Sequence, residues 1–420
     1  MFKRGLFRPL LLDVSRCLQA DNGHHQQTQN STPSASEAVG ISSRSSSYAQ
    51  LLVQNVPKHQ ELSRVKPVMD QDKLKEIIAT IQAKRKAAFP WTFGEPYDQP
   101  YYSYSQETAS WQETTPVPSP EASASASASA SSRAPLTSFT VLSWNIDFML
   151  IHPNERMAAA LEHLATLTST SSSTTTTTPP PIVLLQEMLE SDLAALQAAP
   201  WVRANYHLTD TSPRFWESGH YGTCTLVPRA LPVARVFRVH YPGSRMERDA
   251  LFVDVDVGAG KDRPLRLANT HLESLVADPP VRPGQMALAA AQMRSADVLG
   301  AVLGGDLNAI QPFDRALHAD HGLGDAYLAL GGAEDAEDGF TWGPMAPTML
   351  RRLYGSSRMD KFFFGGAVRP VRFERFGMGI ELRDERLKEE LIEDAGTDGA
   401  WVTDHLGIRA DFQIVSSDAT

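Results

Sequence analysis

Short apolar runs that end in polar residues are the feature of this sequence that most constrains its fold. In "PIVLLQE", the four apolar residues from Ile182 to Leu185 predict a strand buried on both faces, yet Gln186 and Glu187 follow at once. A glutamate at this point is common at the start of a helix, because the helix dipole favours a negative charge there. The same arrangement recurs along the chain, so a single helix start does not account for it.

Strand-like and helix-like runs alternate from residue 138 onward. The strand-like runs are "SFTVLSWN", "PIVLLQE", "YGTCTLV", "ALFVDVDV", "LRLANTHLE", "AVLGGDLN", "MDKFFFGG" and "LGIRADFQI". Apolar residues recur at helical spacing in "NERMAAALEHLATL", "ESDLAALQAA" and "PGQMALAAAQMRSADVL". This mixture over residues 138–415 predicts a large α/β domain in which helices cover sheets.

The rest of the chain divides by composition. Residues 1–66 carry few large apolar residues and are predicted to be disordered, and their basic, amphipathic start is a candidate targeting segment. Residues 67–120 combine an amphipathic helix with an aromatic-rich arm, which either stacks on bases, docks a partner or packs on its own domain. An Ala/Ser linker at 121–137, a Ser/Thr-rich loop insertion at 168–178 and a tail at 416–420 complete the division.

Composition excludes several classes of protein. No apolar stretch reaches the roughly 18 residues that a membrane-spanning helix needs. Cys17 and Cys224 are too few for a disulfide framework, so we expect a reducing compartment: the nucleus or a mitochondrion, or otherwise the cytoplasm. The net charge of −10 argues against a general nucleic-acid coat but is compatible with a local site that binds a divalent cation. No sequence feature defines the oligomeric state, and a monomer is the default expectation.

Polar clusters stand where the strand-like runs end or begin. The clusters are Asn145 and Asp147 in "WNID", Glu187 in "LQE", His271 and Glu273 in "THLES", Asp306 and Asn308 in "GDLN", and Asp404 and His405 in "TDH". Taken singly, such a cluster is more often a helix start, a turn or a surface loop than a functional site. Open α/β sheets, however, concentrate functional sites where strands end, so we expect these residues to lie together.

The clusters contain suitable ligands for a metal ion. Glu187, with help from Asn145, offers hard oxygen ligands of the kind that suit Mg²⁺, with Mn²⁺ as the alternative. There is no cluster of cysteine and histidine, so zinc is a poor candidate. A bound ion of this type would neutralise a phosphate group.

The remaining polar residues supply groups for hydrolysis of a phosphodiester. Asp306 is suited to orient and deprotonate an attacking water, while Asn308 holds a phosphate oxygen. His405, which we expect Asp404 to fix in one tautomer, can donate to the charge that develops on phosphorus, and His271 can do the same. The predicted chemistry is a metal-assisted phosphodiesterase.

In their order along the chain, these motifs resemble the endonuclease/exonuclease/phosphatase superfamily. The matching motifs are "WNID", "LQE", "THLES", "GGDLN", "GFTW", "RMDKFFF" and "TDH". The resemblance implies a deoxyribonuclease I-like fold, a four-layered α/β sandwich of two packed mixed sheets flanked by helices. It also implies that Asp306 joins Glu187 and Asn145 around the metal, and that Asp147, Asp325 and Asp360 support the site.

Within this superfamily the motifs most resemble the 5′-tyrosyl-DNA phosphodiesterases, which act in DNA repair. The resemblance implies a DNA end or a DNA–peptide adduct as the partner, and a substrate-binding role for Arg248, which falls where that branch has an arginine before a strand. Trp342 either stacks on a base or anchors a loop in the core. Phe148 departs from the branch, which carries glycine at that position.

Three alternatives to a DNA substrate remain within the same enzyme class: RNA, a sphingomyelin-type lipid and a soluble phosphoester. An inactive binding module on the same fold is a further alternative from a different class. The complete set of polar clusters argues against an inactive module, because degenerate copies usually lose one of them. Four basic residues near the "FFF" strand either suit a phosphate backbone or belong to a solvated loop: Arg351, Arg352, Arg358 and Lys361.

Overall fold

The structure, a computed structural model, describes residues 89–116, 135–169, 179–258 and 263–415. The predicted disordered region and targeting segment, the amphipathic helix at 74–81, most of the linker, most of the Ser/Thr-rich insertion and the tail lie outside these ranges. Within the described ranges, no helix has both the length and the apolar character that crossing a membrane requires.

Fifteen strands and eight α-helices make up the described part of the chain. The strands are β1 (Pro96–Asp98), β2 (Tyr101–Ser105), β3 (Ser110–Thr114), β4 (Ser138–Asn145), β5 (Ile182–Leu189), β6 (Tyr206–Leu208), β7 (Tyr221–Pro228), β8 (Val233–His240), β9 (Asp249–Val255), β10 (Leu265–His271), β11 (Gly300–Asp306), β12 (Gly324–Asp325), β13 (Asp360–Gly366), β14 (Val368–Phe376) and β15 (Gly407–Ile414). The helices are α1 (Pro153–Thr168), α2 (Glu190–Ala198), α3 (Pro200–Asn205), α4 (Arg282–Met293), α5 (Leu317–Asp320), α6 (Ala326–Ala329), α7 (Thr348–Tyr354) and α8 (Glu385–Ala395).

The strands form two mixed sheets. The first sheet has the order β1-β8-β9-β10-β11-β13-β12, and the second has the order β14-β15-β4-β5-β7-β6-β2-β3. Each sheet contains one parallel pair at its centre, β10 with β11 and β4 with β5, and the other described pairs are antiparallel. The carboxyl ends of each parallel pair therefore meet at one edge of its sheet.

Helices cover the outer faces of both sheets. In β5, Ile182 and Leu184 pack in the core between the sheets, whereas Val183 and Leu185 pack in the cluster that includes residues of α1 and α2. Alternate side chains of a strand point to opposite faces, so this strand is buried on both sides as its apolar run predicts. Residues of α4 pack on the outer face of the first sheet. The predicted four-layered α/β sandwich is confirmed.

Two glycines bring the strands of the first sheet close together below its carboxyl edge. A Cβ atom on Gly305 would lie 1.8 Å from the carbonyl oxygen of Thr270, and one on Gly304 would lie 2.5 Å from the ring of Phe362. A side chain at either position would collide with its neighbours, which explains the "GG" of the "GGDLN" motif. The strand that these glycines belong to ends at Asp306, directly opposite His271.

The aromatic arm is part of both sheets. Strand β1 pairs with β8 at the edge of the first sheet, and β2 and β3 extend the second sheet beyond β6. Trp91 is only 7% exposed and stacks on His240, with 4.0 Å between the ring centroids. The arm therefore packs on its own domain, although the Ala/Ser linker separates it from residues 138–415 in the sequence.

The contact between the arm and His240 predicts a pH-dependent stability. Burial, aided by the charge of Arg238, lowers the pKa of His240 to about 3 from an ordinary value of 6.5. Because the folded protein resists protonation of this ring while the unfolded chain does not, stability is full above the ordinary pKa and falls as the pH drops below it. The loss reaches about 2 kcal/mol near pH 5.

The variant His240→Phe keeps an aromatic ring against Trp91 but has no group to titrate. We expect its free energy of unfolding, measured with denaturant, to change less between neutral and acidic pH than that of the unmodified protein. His220→Gln, a change at an exposed histidine, serves as the control and should leave the pH dependence as it was. An unchanged pH dependence in His240→Phe would exclude His240 as its cause.

Candidate active site

The polar residues predicted from the strand ends come together at one edge of the two sheets. Asn145 ends β4, while His271 and Asp306 end the parallel strands β10 and β11 and lie opposite one another. The side-chain amide of Asn145 donates a hydrogen bond to Oδ2 of Asp306 at 3.1 Å, which links the second sheet to the first. The convergence that strand-end chemistry predicts is therefore present in the fold.

Glu187 lies inside a bulge rather than after the end of its strand. Strand β5 continues to Leu189, and its pairing with β7 shifts register between Leu185 and Met188. Glu187 has a φ of 56°, a left-handed conformation that is strained for a residue with a side chain by about 1–3 kcal/mol. Bulges redirect side chains next to active sites, and here the Oε2 atom accepts a hydrogen bond from the backbone N–H of Phe148 at 3.1 Å.

The two carboxylates of the site have different electrostatic surroundings. Burial raises the pKa of Glu187, and the neighbouring His271 offsets this only in part. Burial also acts to raise the pKa of Asp306, but His405 and His271 outweigh it and hold that pKa below its ordinary value. Asp306 therefore stays ionised, whereas the negative charge of Glu187 lacks full compensation by protein groups.

His405 is oriented by Asp360 and not by Asp404. Nδ1 of His405 lies 2.8 Å from Oδ2 of Asp360, which is opposite Asp306 in the pairing of β11 with β13. Oδ1 of Asp404 is 3.7 Å from Nε2 of His405, and its Oδ2 accepts a hydrogen bond from the indole of Trp342 at 2.7 Å. The prediction that Asp404 fixes the His405 tautomer is therefore wrong, because its side chain is turned towards the tryptophan.

Charges around this pair determine its protonation. Burial would lower the pKa of His405, but the carboxylates of Asp360, Asp404 and Asp306 raise it well above the ordinary value. Burial, followed by the charge of Asp147, raises the pKa of Asp404 to about 6. The imidazolium of His405 is thus stabilised as a hydrogen-bond donor at the site.

Trp342 anchors the loop to which it belongs. The side chain is 9% exposed and packs against Ala346 and Met359. Its backbone forms bridges to Ser357 and to His405. Of the two interpretations drawn from the sequence, these contacts match a core residue that anchors a loop beside His405.

Arg248 is buried behind His271. Its side chain is 6% exposed, its Nη1 hydrogen-bonds Nδ1 of His271, and its Nη2 donates to Ser274 Oγ at 3.2 Å. On its other side, Nε2 of His271 lies 3.3 Å from Asp306 Oδ2 and 3.7 Å from Glu187 Oε1. The guanidinium predicted to bind substrate is therefore directed at a histidine of the site.

Glu273, the second charged residue of the "THLES" motif, has a structural role. Its buried carboxylate accepts hydrogen bonds from Ser244 Oγ at 2.7 Å, from the backbone N–H of Arg245 at 2.9 Å and from Gln285 at 3.1 Å. The loop at 244–248 is thereby tied to the strand end that carries His271.

Local hydrogen bonds hold the other predicted residues in place. Asn308 has a φ of 48°, and its backbone N–H donates to Asp306 Oδ1 at 2.8 Å. The backbone N–H of Asp147 donates to Asn145 Oδ1 at 2.9 Å, which turns the chain after β4. Asp325 caps α6 and is paired with Arg358 at 2.8 Å. The side chain of Asp325 therefore contacts the start of α6 and Arg358 and not the clustered residues, and its role is to support the fold near β13.

Two buried amides that join the sheets beneath the site were not identified from the sequence. Gln186 donates to Asn269 Oδ1 at 2.8 Å, and Asn269 donates to the carbonyl of Leu185 at 3.1 Å. Both are fully buried. Their positions in the sequence could have identified them, because each stands at the end of an apolar run. Gln186 directly precedes Glu187, and Asn269 precedes His271 by two residues.

The available donors fit a divalent metal ion. Glu187 and Asp306 present hard carboxylate oxygens on the same histidine nitrogen, 3.7 and 3.3 Å from His271 Nε2. A cation would also supply the compensation that the buried charge of Glu187 lacks. A second group, Asp306, Asp360 and His405, has ligand atoms within 4.8 Å of one another, but its Asp360 is already hydrogen-bonded to His405. Glu187 and Asp306 are the better pair of ligands.

Comparison with known proteins assigns the fold to a family. The sequence profile of the Endonuclease/Exonuclease/phosphatase family matches residues 142–405, which span all the clustered residues. This protein belongs to the Endonuclease/Exonuclease/phosphatase family. The resemblance predicted from the motifs is confirmed, and membership places the chain among hydrolases of phosphoester bonds.

Solved structures of similar fold include several relatives of low identity. TDP2 of D. rerio, in complex with a single-stranded DNA product, is 20% identical, with coverage of 66% of this chain and 99% of that chain and a TM-score of 0.49. TDP2 from C. elegans is 21% identical, with coverage of 90% and 100% and a TM-score of 0.48. The human Nocturnin catalytic domain is 16% identical, with coverage of 67% and 97% and a TM-score of 0.46. No curated protein sequence matches this chain.

Proposed function

We propose that this protein is a Mg²⁺-dependent phosphodiesterase that hydrolyses phosphodiester bonds at DNA 5′ ends, with 5′-phosphotyrosyl DNA as the leading substrate. The main support for the proposal is the position of two histidine side chains beside the carboxylate of Asp306. Nε2 of His271 and Nε2 of His405 lie 3.3 and 3.7 Å from Oδ2 of Asp306. A base and two donors are thereby held around a single point, as hydrolysis at phosphorus requires.

Glu187 and Asp306 would hold the metal ion, with Asn145 hydrogen-bonded to Asp306. Mg²⁺ is the expected ion because its few protein ligands are oxygens, Mn²⁺ is the alternative, and either would neutralise charge on the phosphate. Asp306, which remains ionised, orients the attacking water and accepts its proton. His405 and His271 donate to the phosphoryl oxygens, and Asn308 holds one of them.

The charge of the cavity beside Glu187 favours a diester over a monoester. Its lining includes three carboxylates, Glu187, Glu247 and Asp249, of which Asp249 is paired with the buried Arg238 at 2.8 Å, and one arginine, Arg248, whose guanidinium is bonded to His271. A phosphomonoester near neutral pH carries up to two negative charges and a diester only one, so the diester is repelled less. The resemblance of the motifs supports a DNA 5′ end among diesters, and a role in DNA repair would place the protein in the nucleus or a mitochondrion.

A panel of substrates tests this function. Purified full-length protein is incubated with 5′-phosphotyrosyl oligonucleotide, abasic duplex DNA, RNA and sphingomyelin, with Mg²⁺, Mn²⁺ or EDTA. We expect release of tyrosine that requires Mg²⁺, stops with EDTA and returns when the metal is restored. Turnover that persists in EDTA would contradict the metal-assisted mechanism. Activity confined to RNA or to the lipid would instead contradict the DNA assignment and leave the mechanism in place.

A further inference from the structure

The contact between Arg248 and His271 fixes the location of a proton. A guanidinium has only N–H donors and no acceptor, so its Nη1 can bond only to a ring nitrogen that carries a lone pair. Nδ1 of His271 is that nitrogen. A neutral imidazole that accepts at Nδ1 carries its hydrogen on Nε2.

The Nε2 atom of His271 faces the reaction site. It lies 3.3 Å from Asp306 Oδ2 and 3.7 Å from Glu187 Oε1, and it is buried without a hydrogen bond to any described residue. The opposite tautomer would turn a lone pair towards two carboxylates, which is repulsive. An Nε2–H group here is a donor aimed between the two carboxylates and available to an oxygen of a substrate.

Arg248 is held in place from several sides. Its Nη2 donates to Ser274 Oγ at 3.2 Å, and its guanidinium lies over the ring of Tyr221, 5.1 Å from the centroid. Tyr221 in turn stacks on Phe148, with centroids 4.3 Å apart and planes inclined by 3°. A side chain that is 6% exposed and fixed in this way is poorly placed to reach a DNA phosphate.

We infer that Arg248 is a positioning residue that holds His271 as its Nε2–H tautomer, with the hydrogen directed between Glu187 and Asp306. The role of His271 as a donor to the phosphoryl group rests on the proposed function, whereas its tautomer does not. Partners that orient a metal-ligating histidine through its second ring nitrogen contribute about 10–100-fold to metal affinity or activity, and we expect an effect of that size on activity here. The Phe148–Tyr221 stack belongs to the same arrangement because it supports the arginine.

Nuclear magnetic resonance of protein labelled with ¹⁵N in its histidines measures the tautomer directly. The His271 signals are identified by their absence from His271→Gln, and spectra are recorded with Mg²⁺ present. We expect a pyridine-like Nδ1 and a pyrrole-like Nε2 in the unmodified protein. Arg248→Met should replace this pattern with a mixture of tautomers, and Arg248→Lys, which keeps a cationic donor, should restore it at least in part. Arg245→Met removes an exposed arginine from the same loop and should leave the pattern unchanged.

Kinetics on 5′-phosphotyrosyl oligonucleotide separate positioning from substrate binding. Arg248→Met should lower kcat by about 10–100-fold with a change in KM of no more than about twofold, and Arg248→Lys should recover part of the loss. A pyrrole-like Nδ1 in the unmodified protein, or an unchanged His271 spectrum in folded Arg248→Met, would overturn the inference. So would a rise in KM that accounts for the whole loss of kcat/KM. Absence of turnover in the unmodified protein would count against the proposed function alone, since the spectra still decide the tautomer.

Discussion

Replacing Asp306 with asparagine, or Glu187 with glutamine, is expected to lower kcat on the 5′-phosphotyrosyl substrate by on the order of 10²-fold or more. Both changes keep the shape of the side chain and remove its negative charge. Asp306 is 2% exposed and is contacted by Asn145, by the backbone of Asn308 and by both site histidines. An amide in its place cannot accept a proton from water, and an amide at 187 removes an anionic metal ligand.

The two variants should differ in their response to metal. Glu187→Gln is expected to raise the Mg²⁺ concentration needed for half-maximal activity, whereas Asp306→Asn should stay weak at any concentration, because it also lacks the base. Asp254→Asn is a matched control: Asp254 is a buried aspartate of the first sheet that is paired with Arg266 at 2.7 Å, away from the clustered residues. It should lower the free energy of unfolding and leave kcat nearly unchanged. Full activity in Asp306→Asn would rule out Asp306 as the base.

The location of the site followed from one regularity of the sequence. Apolar runs that end in polar residues mark strand ends, and the carboxyl ends of parallel strands in one sheet lie side by side. Asn145, His271 and Asp306 end the parallel strands of the two sheets, and sites in α/β folds concentrate where strands end, so their convergence could be expected from the sequence. The local conformation of Glu187 could not be expected, because propensity gives no sign that a glutamate inside a strand adopts a positive φ.

The wrong prediction about His405 concerns a contact between residues that are far apart in the chain. Asp404 is adjacent to His405 in sequence, which made it the natural partner, but adjacency does not determine the direction of a side chain. Asp360 reaches the histidine because the register of β11 with β13 puts it opposite Asp306. That register depends on the pairing of two strands that are far apart in the chain. The pairing cannot be predicted from a single sequence.

The burial and pairing of charged residues could not be predicted from the sequence either. Arg358 and Lys361 read as part of a basic surface cluster, yet both are buried and form ion pairs with Glu334, Lys361 at 2.6 Å. Their partner precedes them by more than twenty residues, so composition could not reveal the pairing. The aromatic arm likewise looked separate, because edge strands such as β2 and β3 carry no signal of the sheet that they join.

Substitution of Asp360 should distinguish the observed partner of His405 from the one suggested by sequence. An asparagine at 360 removes the carboxylate that does most to raise the pKa of His405 against the effect of burial, so the imidazolium that donates at the reaction centre is less stabilised. We expect Asp360→Asn to lower kcat by about 10²–10⁴-fold, the range that a positioned acid–base group contributes. Asp404→Asn keeps an acceptor for the indole N–H of Trp342 and should cost less than about tenfold.

A double-variant cycle shows whether Asp360 acts through the histidine. His405→Gln should itself cause a large loss of kcat, and adding Asp360→Asn to it should cause little more, because the carboxylate then has no imidazole to orient. Losses that multiply in the double variant would mean that Asp360 acts independently, for example as a ligand in the group it forms with Asp306 and His405. A loss in Asp404→Asn as large as that in Asp360→Asn would contradict the assignment of the orienting role to Asp360 alone. The predicted inequality follows from two distances, 2.8 Å from Asp360 to Nδ1 and 3.7 Å from Asp404 to Nε2.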